Sequence, residues 1–363
     1  MPASAPSPAV PPSPGPPRIL IIRRRYLGDL VLLGSLLRNL RLHWPQAHLA
    51  VLAERAYAPV LALNPDVDAA PVLPAGAFEW PGFVRRLRAG RFTHVIDVDN
   101  TEKTALVSVL SGARVRVAYD REGNRVRSRW AYSHFVPVSN EAYHTQHITE
   151  TYLALLQPLG VPVRTREVRL TPRGQDLATL RALVGPPRAD ATRRRRLLIH
   201  PGSRSAYRMW PAERFAAVAD RLQDAHDVQV FLVAGAGEAG IARQISEHAK
   251  AHLVAIDRKL SIGEFAALLS EFDLMLCHDS GPMHIAAAVG TPVVALYGSQ
   301  HTAIWHPLGE RHTVLQPPLP CRCLGADAPG PCVPGDSYRS YCVRKLSVDT
   351  VYDAVQHALR GCA

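Results

Sequence analysis

Short apolar runs alternate with helix-like stretches along most of this chain. The runs lie at 19–22, 49–52, 95–98 and 116–118 in the first half, and at 197–199, 228–233, 253–256, 274–277 and 293–297 in the second. Runs of this length with helices between them are typical of parallel βαβ units, whose strands are buried on both faces. The pattern predicts an α/β protein with two parallel sheets, each with its own core.

The length and composition agree with two domains. The chain has 363 residues, of which 47% are hydrophobic, and a polar, proline-broken stretch at 171–192 separates the two series of runs. We expect a disordered Pro-rich tail at 1–17, followed by an N-terminal domain at 18–175 and a linker at 176–196. A C-terminal domain at 197–345 and a closing helix at 346–363 complete the chain. The tail lacks the basic start and apolar core of a signal peptide, and no apolar run is long enough for a membrane helix, which favours a cytoplasmic protein.

A Gly-Asp pair follows the first apolar run, and its aspartate is Asp29. A carboxylate at the carboxyl end of a first strand lies where open α/β sheets bind their ligands. The commoner role of an aspartate between a strand and a helix is that of an N-cap. On this segment alone, the cap interpretation is favoured.

A second loop follows the apolar run at 274–277 and begins with Asp279, Ser280 and Gly281. The alanine-rich helix predicted after it would offer unpaired N–H groups and the positive end of its dipole to a phosphate. Asp279 cannot bind phosphate, and we interpret it as an acceptor for sugar or ribose hydroxyls or as an anchor for the amides of the loop. A turn capped by Asp-Ser is the simpler alternative.

A third loop follows the run at 197–199. Gly202 and Ser203 can supply backbone and hydroxyl donors, and Arg208 can supply a guanidinium fork suited to a diphosphate. Together the three loops resemble those of the heptosyltransferases of glycosyltransferase family 9, which build the inner core of lipopolysaccharide. The resemblance extends from about residue 18 to about residue 358.

This resemblance implies a GT-B fold, in which two Rossmann-like domains face a central cleft and bind the acceptor and the nucleotide-sugar. It further implies transfer of a heptose from ADP-heptose with inversion, no cofactor and no metal, and Asp29 as the general base. The donor-binding residues that it implies are Gly202, Ser203, Arg208, Glu238, Asp279, Ser280, Gly281 and His284.

Some of these positions depart from the family pattern or have another interpretation. Arg208 stands where the family uses a lysine, which keeps the charge but changes the geometry. Gly202 and Ser203 stand where some relatives have two threonines, so one hydroxyl is lost. His284 is expected to brace the donor loop, although a core histidine is the alternative.

A glycine pattern at Gly235, Gly237 and Gly240 also matches a dinucleotide-binding fingerprint, with Asp257 further on. That fingerprint belongs after the first strand of its domain, whereas this one follows the second. In the family a glutamate at the position of Glu238 contacts the ribose of the nucleotide. We therefore favour a glycosyltransferase over an oxidoreductase.

Asp97 and Asp99 form an Asp-x-Asp pair at the end of the run at 95–98. In metal-dependent glycosyltransferases of the other main fold, such a pair binds the manganese of the nucleotide. Because the nucleotide is expected in the second half of this chain, we predict a structural or acceptor-side role for the pair.

The net charge of +11 first suggests a nucleic-acid ligand. No nucleic-acid recognition module is present, and the arginines are scattered through the α/β pattern. A solvated basic surface is one explanation, and an anionic lipid-linked acceptor at the inner membrane is another. We select Arg25 and Arg121 as acceptor-binding candidates, and expect a monomer in peripheral contact with the cytoplasmic face of that membrane.

Four cysteines, Cys321, Cys323, Cys332 and Cys342, crowd into a Pro/Gly-rich stretch. Their spacing does not match the usual paired zinc knuckles, and disulfides are unusual in the cytosol. Structural thiols are favoured over a zinc site or a redox switch.

Other functions are compatible with parts of the pattern. A non-catalytic nucleotide-sugar-binding protein would use Arg208 and Asp279 but would not need Asp29. Another nucleotide-sugar enzyme of the GT-B fold would keep both domains and take a different sugar, and an epimerase would need acid/base pairs facing that sugar.

Overall fold

A computed structural model describes residues 15–123, 128–185, 194–203, 208–225, 228–235, 237–298, 300–317 and 343–361. The chain divides into an N-terminal unit, Met1–Arg169, and a C-terminal unit, Leu170–Ala363. The two parallel-sheet α/β domains that the apolar runs predict are confirmed. Of the predicted tail, only residues 15–17 are described.

The N-terminal unit is built around a five-stranded parallel sheet. Its strands are β1 (Arg18–Ile22), β2 (His48–Leu52), β3 (His94–Asp97), β4 (Val115–Arg121) and β5 (His134–Val138). Its helices are α1 (Leu27–Leu32), α2 (Gly34–His43), α3 (Trp80–Ala89), α4 (Glu102–Leu110), α5 (Asn140–Thr145) and α6 (Ile148–Ala154). Among its described residues, 3-10 helices span Ala58–Leu63, Ala77–Glu79, Arg129–Ala131 and Gln157–Leu159.

The strand order in this sheet is β2-β1-β3-β4-β5. The order reverses between β1 and β3, so the connections leave the carboxyl ends of these two strands in opposite directions and open a crevice there. Ile22 of β1 and Asp97 of β3 are paired in register at that edge. The loops that follow β1 and β3 therefore start side by side.

The described residues of the C-terminal unit form a six-stranded parallel sheet. Its strands are β6 (Arg195–His200), β7 (Val228–Val233), β8 (Val254–Ile256), β9 (Leu274–His278), β10 (Val293–Leu296) and β11 (His312–Leu315). The helices are α7 (Gly174–Val184), α8 (Ala212–Ala225), α9 (Ala239–His248), α10 (Ile262–Ser270), α11 (Gly281–Val289), α12 (Thr302–Trp305) and α13 (Val348–Gly361).

The strand order in the second sheet is β11-β10-β9-β6-β7-β8, which is that of a doubly wound nucleotide-binding fold. Its reversal lies between β6 and β9, where His200 and Cys277 are paired in register. The loops after these two strands carry Gly202 and Asp279. The sheet thus brings together two loops that are far apart in sequence.

The observed boundary differs from the predicted one. The units divide after Arg169, six residues before the predicted end of the N-terminal domain at residue 175. The segment predicted as a linker at 176–196 contains most of α7 and the start of β6. Leu180 of α7 is fully buried, and Arg181 pairs with Glu271 at 2.9 Å. The linker prediction was wrong because the prolines on either side of α7 suggested a loop, although the segment between them forms a packed helix.

Candidate active site

Asp29 lies in the first turn of α1, just beyond the carboxyl end of β1, and its side chain is buried. Its Oδ2 accepts a hydrogen bond from the backbone N–H of Tyr26 at 3.2 Å. This bond satisfies the amide that precedes the helix, so Asp29 does contribute to the start of α1. Its other contacts show that the carboxylate also belongs to a larger polar network.

Two side chains hold the second carboxylate oxygen of Asp29. Its Oδ1 accepts from the hydroxyl of Tyr152 at 2.8 Å and from the guanidinium of Arg23. Burial and the neighbouring Asp29 carboxylate raise the pKa of Tyr152 well above its usual range, so the phenol remains a donor. Oδ1 is therefore fixed by two donors, whereas Oδ2 has a single backbone donor and can accept another proton-bearing group.

Arg23 also joins the loops after β1 and β3. Its Nη1 donates to Asp99 Oδ1 at 3.0 Å. The backbone N–H and the Nε of Arg24 both donate to Asp99 Oδ2 at 2.9 Å. Asp99, Arg23 and Asp29 thus form a continuous chain of charged hydrogen bonds at the reversal point of the N-terminal sheet.

Asp97 is fully buried and serves the fold of its loop. Its Oδ1 accepts from the backbone N–H groups of Asp99 at 3.0 Å and Asn100 at 3.1 Å, and its Oδ2 accepts from the hydroxyl of Tyr132 at 2.6 Å. Burial raises the pKa of Asp97 to about 6, although these hydrogen bonds oppose the shift. Both members of the Asp-x-Asp pair are engaged in protein contacts, which supports the structural role.

The two predicted acceptor contacts both lie in the N-terminal unit. Arg25 is half exposed and its Nε is 3.7 Å from Glu54 Oε1. Arg121 ends β4, its guanidinium stacks 3.7 Å from the centre of the Tyr143 ring, and its Nη2 is 3.0 Å from His144 Nε2. Arg25 follows β1 and Arg121 ends β4, so both lie at the edge formed by the carboxyl ends of the strands, but no contact among the described residues joins them to Asp29.

In the C-terminal unit, the carboxyl group of Glu238 lies where a side chain at residue 202 would be. A Cβ placed on Gly202 would come within 1.8–2.1 Å of the carboxyl atoms of Glu238. Glu238 Oε2 also accepts from the backbone N–H of Gly235 at 2.7 Å. One amide of the glycine loop is thereby already bound, which weakens the dinucleotide interpretation of that loop.

Two buried histidines stand behind these loops. His200 Nε2 is 3.6 Å from Glu238 Oε2, and His278 Nε2 accepts from the backbone N–H of Trp210 at 2.7 Å. Burial, assisted by His200, lowers the pKa of His278 to about 3, and burial also lowers the pKa of His200. Both rings are therefore neutral near pH 7, and they support the loops without adding positive charge.

Arg208 and Asp279 form a loose ion pair, with 3.7 Å between Nη1 and Oδ2. Burial raises the pKa of Asp279 to about 6 even though Arg208 opposes the shift. The Nε of Arg208 is buried and has no hydrogen-bond partner among the described residues. The guanidinium therefore retains donors for a ligand.

Ser280 precedes α11, and Gly281 is the first helical residue. Pro282 has no N–H, and the N–H of Met283 donates to Ser280 O at 3.1 Å. Among the described residues, the N–H groups of Ser280 and Gly281 have no protein acceptor, so the anion-binding part of this helix end is limited to these two. His284 is buried one turn further along α11.

Comparison with known proteins identifies the family. The family model described as glycosyltransferase family 9 (heptosyltransferase) matches residues 81–325, which is more than half of the chain. The chain belongs to glycosyltransferase family 9. It is therefore a glycosyltransferase, and its fold is of the GT-B class.

Several of the individual relatives and solved structures to which this family 9 protein is similar are heptosyltransferases or family 9 proteins. Lipopolysaccharide heptosyltransferase 3 of Escherichia coli K12 is 26% identical over 298 residues, covering 79% of this chain and 84% of the relative. The crystal structure of a family 9 glycosyl transferase from Veillonella parvula has a TM-score of 0.79 at 21% identity, covering 95% and 97% of the two chains. The E. coli ADP-heptose lps heptosyltransferase II has a TM-score of 0.74 at 21% identity, covering 95% and 99%.

The described ranges contain no group of three or more His, Cys, Asp or Glu side chains that could hold a metal ion. The four cysteines between Cys321 and Cys342 lie outside the described residues, so their structural-thiol interpretation stays a prediction. Cys277 is buried and free, and burial raises the pKa of its thiol. None of the helices in the described ranges has both the length and the apolar character of a membrane span.

Sequence reasoning missed several side chains of this family 9 enzyme. Arg23 had a recoverable signal, since a run of three arginines stands between the first strand and the Gly-Asp turn. His200 also had a signal in the sequence, since it is the last residue of β6 and directly precedes the Pro-Gly turn. Tyr152 had no signal, because only the packing of α6 brings it to Asp29.

Proposed function

We propose that this protein transfers a heptose from ADP-heptose to the inner core of lipopolysaccharide, with inversion at the anomeric carbon. The names of its relatives support a lipopolysaccharide acceptor and an ADP-heptose donor. The observation in this chain that carries the proposal is the grouping of Gly202, Arg208, Glu238 and Asp279 at the reversal point of the C-terminal sheet.

In this proposal the diphosphate of the donor binds Arg208. Its side chain is partly exposed, and its described carboxylate partner, Asp279, is 3.7 Å away, so the guanidinium N–H groups can donate to a diphosphate oxygen. The N–H groups of Ser280 and Gly281 and the dipole of α11 add to the attraction. As the bond to the sugar breaks, negative charge grows on the departing ADP, and these fixed donors stabilise it without a metal ion.

The remaining donor contacts follow from the acceptor groups around that site. Asp279 accepts hydrogen bonds from hydroxyls of the transferred sugar, while Glu238, which lies over Gly202, accepts from the ribose hydroxyls. Ser203 adds a hydroxyl next to Gly202, and His284 braces the loop from within α11. A hydroxyl-rich ligand suits carboxylates that are only loosely partnered in the protein.

Asp29 acts as the general base. Its Oδ2 takes the proton of the acceptor hydroxyl while the acceptor oxygen attacks the anomeric carbon, and ADP leaves with the electron pair of the broken C–O bond. Arg23 and Tyr152 hold Oδ1, so the carboxylate is oriented before the substrate arrives.

We further propose that Arg25 and Arg121 contact anionic groups of the acceptor. The protein acts as a cytoplasmic monomer, peripheral to the cytoplasmic face of the inner membrane, and binds no nucleic acid. The basic surplus of the chain supports an anionic partner.

A thermal-shift screen of ADP-, UDP- and GDP-sugars, followed by a transfer assay, tests the proposal. ADP-heptose should raise the unfolding temperature most, and incubation with a heptose-deficient lipopolysaccharide should add one heptose to the acceptor by mass spectrometry, with or without a chelator. Stabilisation by a different sugar would refute the donor assignment. Binding of ADP-heptose without transfer to any core acceptor would favour a nucleotide-sugar-binding protein.

A further inference from the structure

Phe78 is the most exposed large apolar side chain among the described residues, with its ring wholly in solvent. It lies in the 3-10 helix Ala77–Glu79, immediately before α3. The flanking residues Ala75, Gly76 and Ala77 are exposed as well. An isolated surface phenylalanine is not unusual by itself, so its surroundings decide whether it has a role.

The outer face of α3 is basic. Arg85, Arg86 and Arg88 are exposed, while Phe83 and Leu87 on the opposite side are buried in the core of the N-terminal unit. Arg88 makes only a long hydrogen bond to a backbone carbonyl, at 3.4 Å, and no described carboxylate pairs with any of the three. The helix therefore presents three positive charges within about 5 Å along its axis, beginning about 10 Å from Phe78.

The position of this surface in the fold follows from the edge of the sheet. Ala69 and Val72 form isolated parallel bridges with Ala50 of β2 and with Ala53 just after it, so this segment runs toward the carboxyl ends of the strands. Phe78 follows six residues after Val72 and therefore lies near the edge of the N-terminal sheet that also carries Asp29. From there α3 runs back toward the amino ends of the strands, since Arg18 at the start of β1 donates to Gly90 O at 2.6 Å just after α3. Phe78 and the three arginines thus follow one side of the unit from its carboxyl edge toward its amino edge.

We propose that Phe78, Arg85, Arg86 and Arg88 form a docking surface for an anionic phospholipid bilayer. Helices that bind at membrane interfaces combine an aromatic ring, which enters the headgroup region, with basic residues, which attract anionic lipids. The surface rests on the proposed function only for its purpose, which is to keep the N-terminal unit at a membrane that contains the acceptor. Bilayer binding itself needs neither donor nor acceptor.

Co-sedimentation of the full chain with vesicles tests the surface. The wild type should bind vesicles of phosphatidylethanolamine and phosphatidylglycerol, should bind phosphatidylcholine vesicles much more weakly, and should be released as salt is raised. The triple variant Arg85→Gln/Arg86→Gln/Arg88→Gln should lose affinity on the order of 100-fold, since each basic residue near an anionic surface contributes roughly fivefold. Phe78→Ser should lose about five- to tenfold, because its ring then gains no apolar burial.

Two matched controls separate this surface from general charge and exposure. Trp130 is also exposed, but the neighbouring Arg129 is paired with Asp120 and so does not add an unpaired positive charge, and Trp130→Ser should bind as the wild type does. The variant Arg114→Gln/Arg243→Gln/Arg360→Gln removes three exposed arginines from elsewhere and should stay within about twofold of the wild type.

The proposal is overturned if phosphatidylcholine vesicles bind equally well, if the α3 variant binds anionic vesicles like the wild type, or if the control triple variant loses as much as the α3 variant. The two proposals fail separately. A protein that binds vesicles in the expected way but transfers no sugar would keep the docking surface and refute the proposed function. Each variant should still transfer to a detergent-solubilised acceptor as the wild type does.

Discussion

Each sheet has a carboxylate just beyond the carboxyl end of a strand that lies next to the reversal of strand order. The two carboxylates differ in their hydrogen-bond and ion-pair partners. In the N-terminal unit, Asp29 has the hydroxyl of Tyr152 at 2.8 Å, the backbone of Tyr26 at 3.2 Å and the guanidinium of Arg23 as donors. In the C-terminal unit, Asp279 has Arg208 at 3.7 Å, which is too far for a hydrogen bond.

In our proposal, this difference separates a general base that is held in one orientation from a carboxylate that binds the hydroxyls of a ligand. A general base gains from a fixed orientation, because the proton must be taken in one geometry. A carboxylate that binds sugar hydroxyls needs free acceptor capacity, and its burial without a close partner is a cost that the ligand removes. The raised pKa of Asp279, about 6, is the electrostatic sign of that cost.

Asp29→Asn tests the more tightly held site and should have the largest effect. The substitution keeps the shape but removes the base, so the transfer rate should fall by roughly 10²–10⁴-fold while donor affinity stays within a few-fold. The measurements are steady-state transfer and donor titration. Retention of more than about a tenth of the wild-type rate would leave Asp29 with only its role at the start of α1.

Arg208→Ala tests the more loosely partnered site. We expect the activation free energy derived from kcat/KM to rise by on the order of 2–4 kcal/mol, as when one preorganised donor to the leaving group is removed. Binding of the ADP-sugar should also weaken. Arg208→Lys should restore much of the loss. Arg243→Ala, an exposed arginine on α9, is the control and should be near wild type. A silent Arg208→Ala would move the diphosphate site elsewhere.

Tyr152→Phe removes one donor from Asp29 and tests whether the fixed orientation matters. Because Asp29 Oδ1 then loses one of its two side-chain donors, kcat should fall about fivefold while KM for the donor stays unchanged. Tyr132→Phe is the matched control. It removes an equivalent bond to Asp97 at 2.6 Å and should lower stability without changing kcat. A wild-type kcat for Tyr152→Phe would contradict the positioning role.

Asp279→Asn should weaken donor binding and yet stabilise the free protein at neutral pH. The folded pKa of Asp279, about 6, lies above its unfolded value, so the ionised form destabilises the fold as pH rises through 6. The amide removes this penalty, and thermal unfolding should show a gain on the order of 1–2 kcal/mol at pH 8 that vanishes near pH 4. A variant no more stable than wild type at pH 8 would show that Arg208 already compensates the buried charge.

Chelator should have the smallest effect of all. Since Arg208 and the start of α11 supply the positive charge for the leaving group in our proposal, transfer should continue at the wild-type rate after exhaustive chelation, and purified protein should contain no zinc at unit occupancy. One tightly held zinc per chain would refute the structural-thiol interpretation of Cys321 to Cys342.

The sheets could be predicted because their strands are buried on both faces and leave uninterrupted apolar runs in the sequence. β5 and β11 were missed because they are edge strands whose residues are partly exposed, so the apolar signal is weak. α7 was missed because the nearby prolines indicate a loop, whereas the helix is stabilised by contacts with residues far away in the sequence. Its Arg181 finds Glu271 only after the chain has folded.

The candidate site shows the same division. The Asp29 turn and the Asp279 loop could be predicted because both chemistry and loop position are encoded within a few residues. The partners Tyr152 and Asp99 could not be assigned to Asp29 and Arg23, since they lie 123 and 76 residues away from them. The packing of α6 brings Tyr152 to Asp29, and the strand order brings Asp99 to Arg23. Local sequence specifies the candidate groups, and the topology and packing specify what orients them.

The missing side chain at residue 202 has an evolutionary consequence. Because the Glu238 carboxyl group occupies the space that a Cβ at residue 202 would need, any larger residue there requires Glu238 to change its side-chain conformation. The carboxyl group is the far end of a flexible side chain and can rotate away, but it then loses its bond to the backbone N–H of Gly235. In our proposal Glu238 contacts the ribose, so threonine at residue 202 would change the direction of that contact. Exchanging both loops together then offers a route to altering which nucleotide the enzyme accepts.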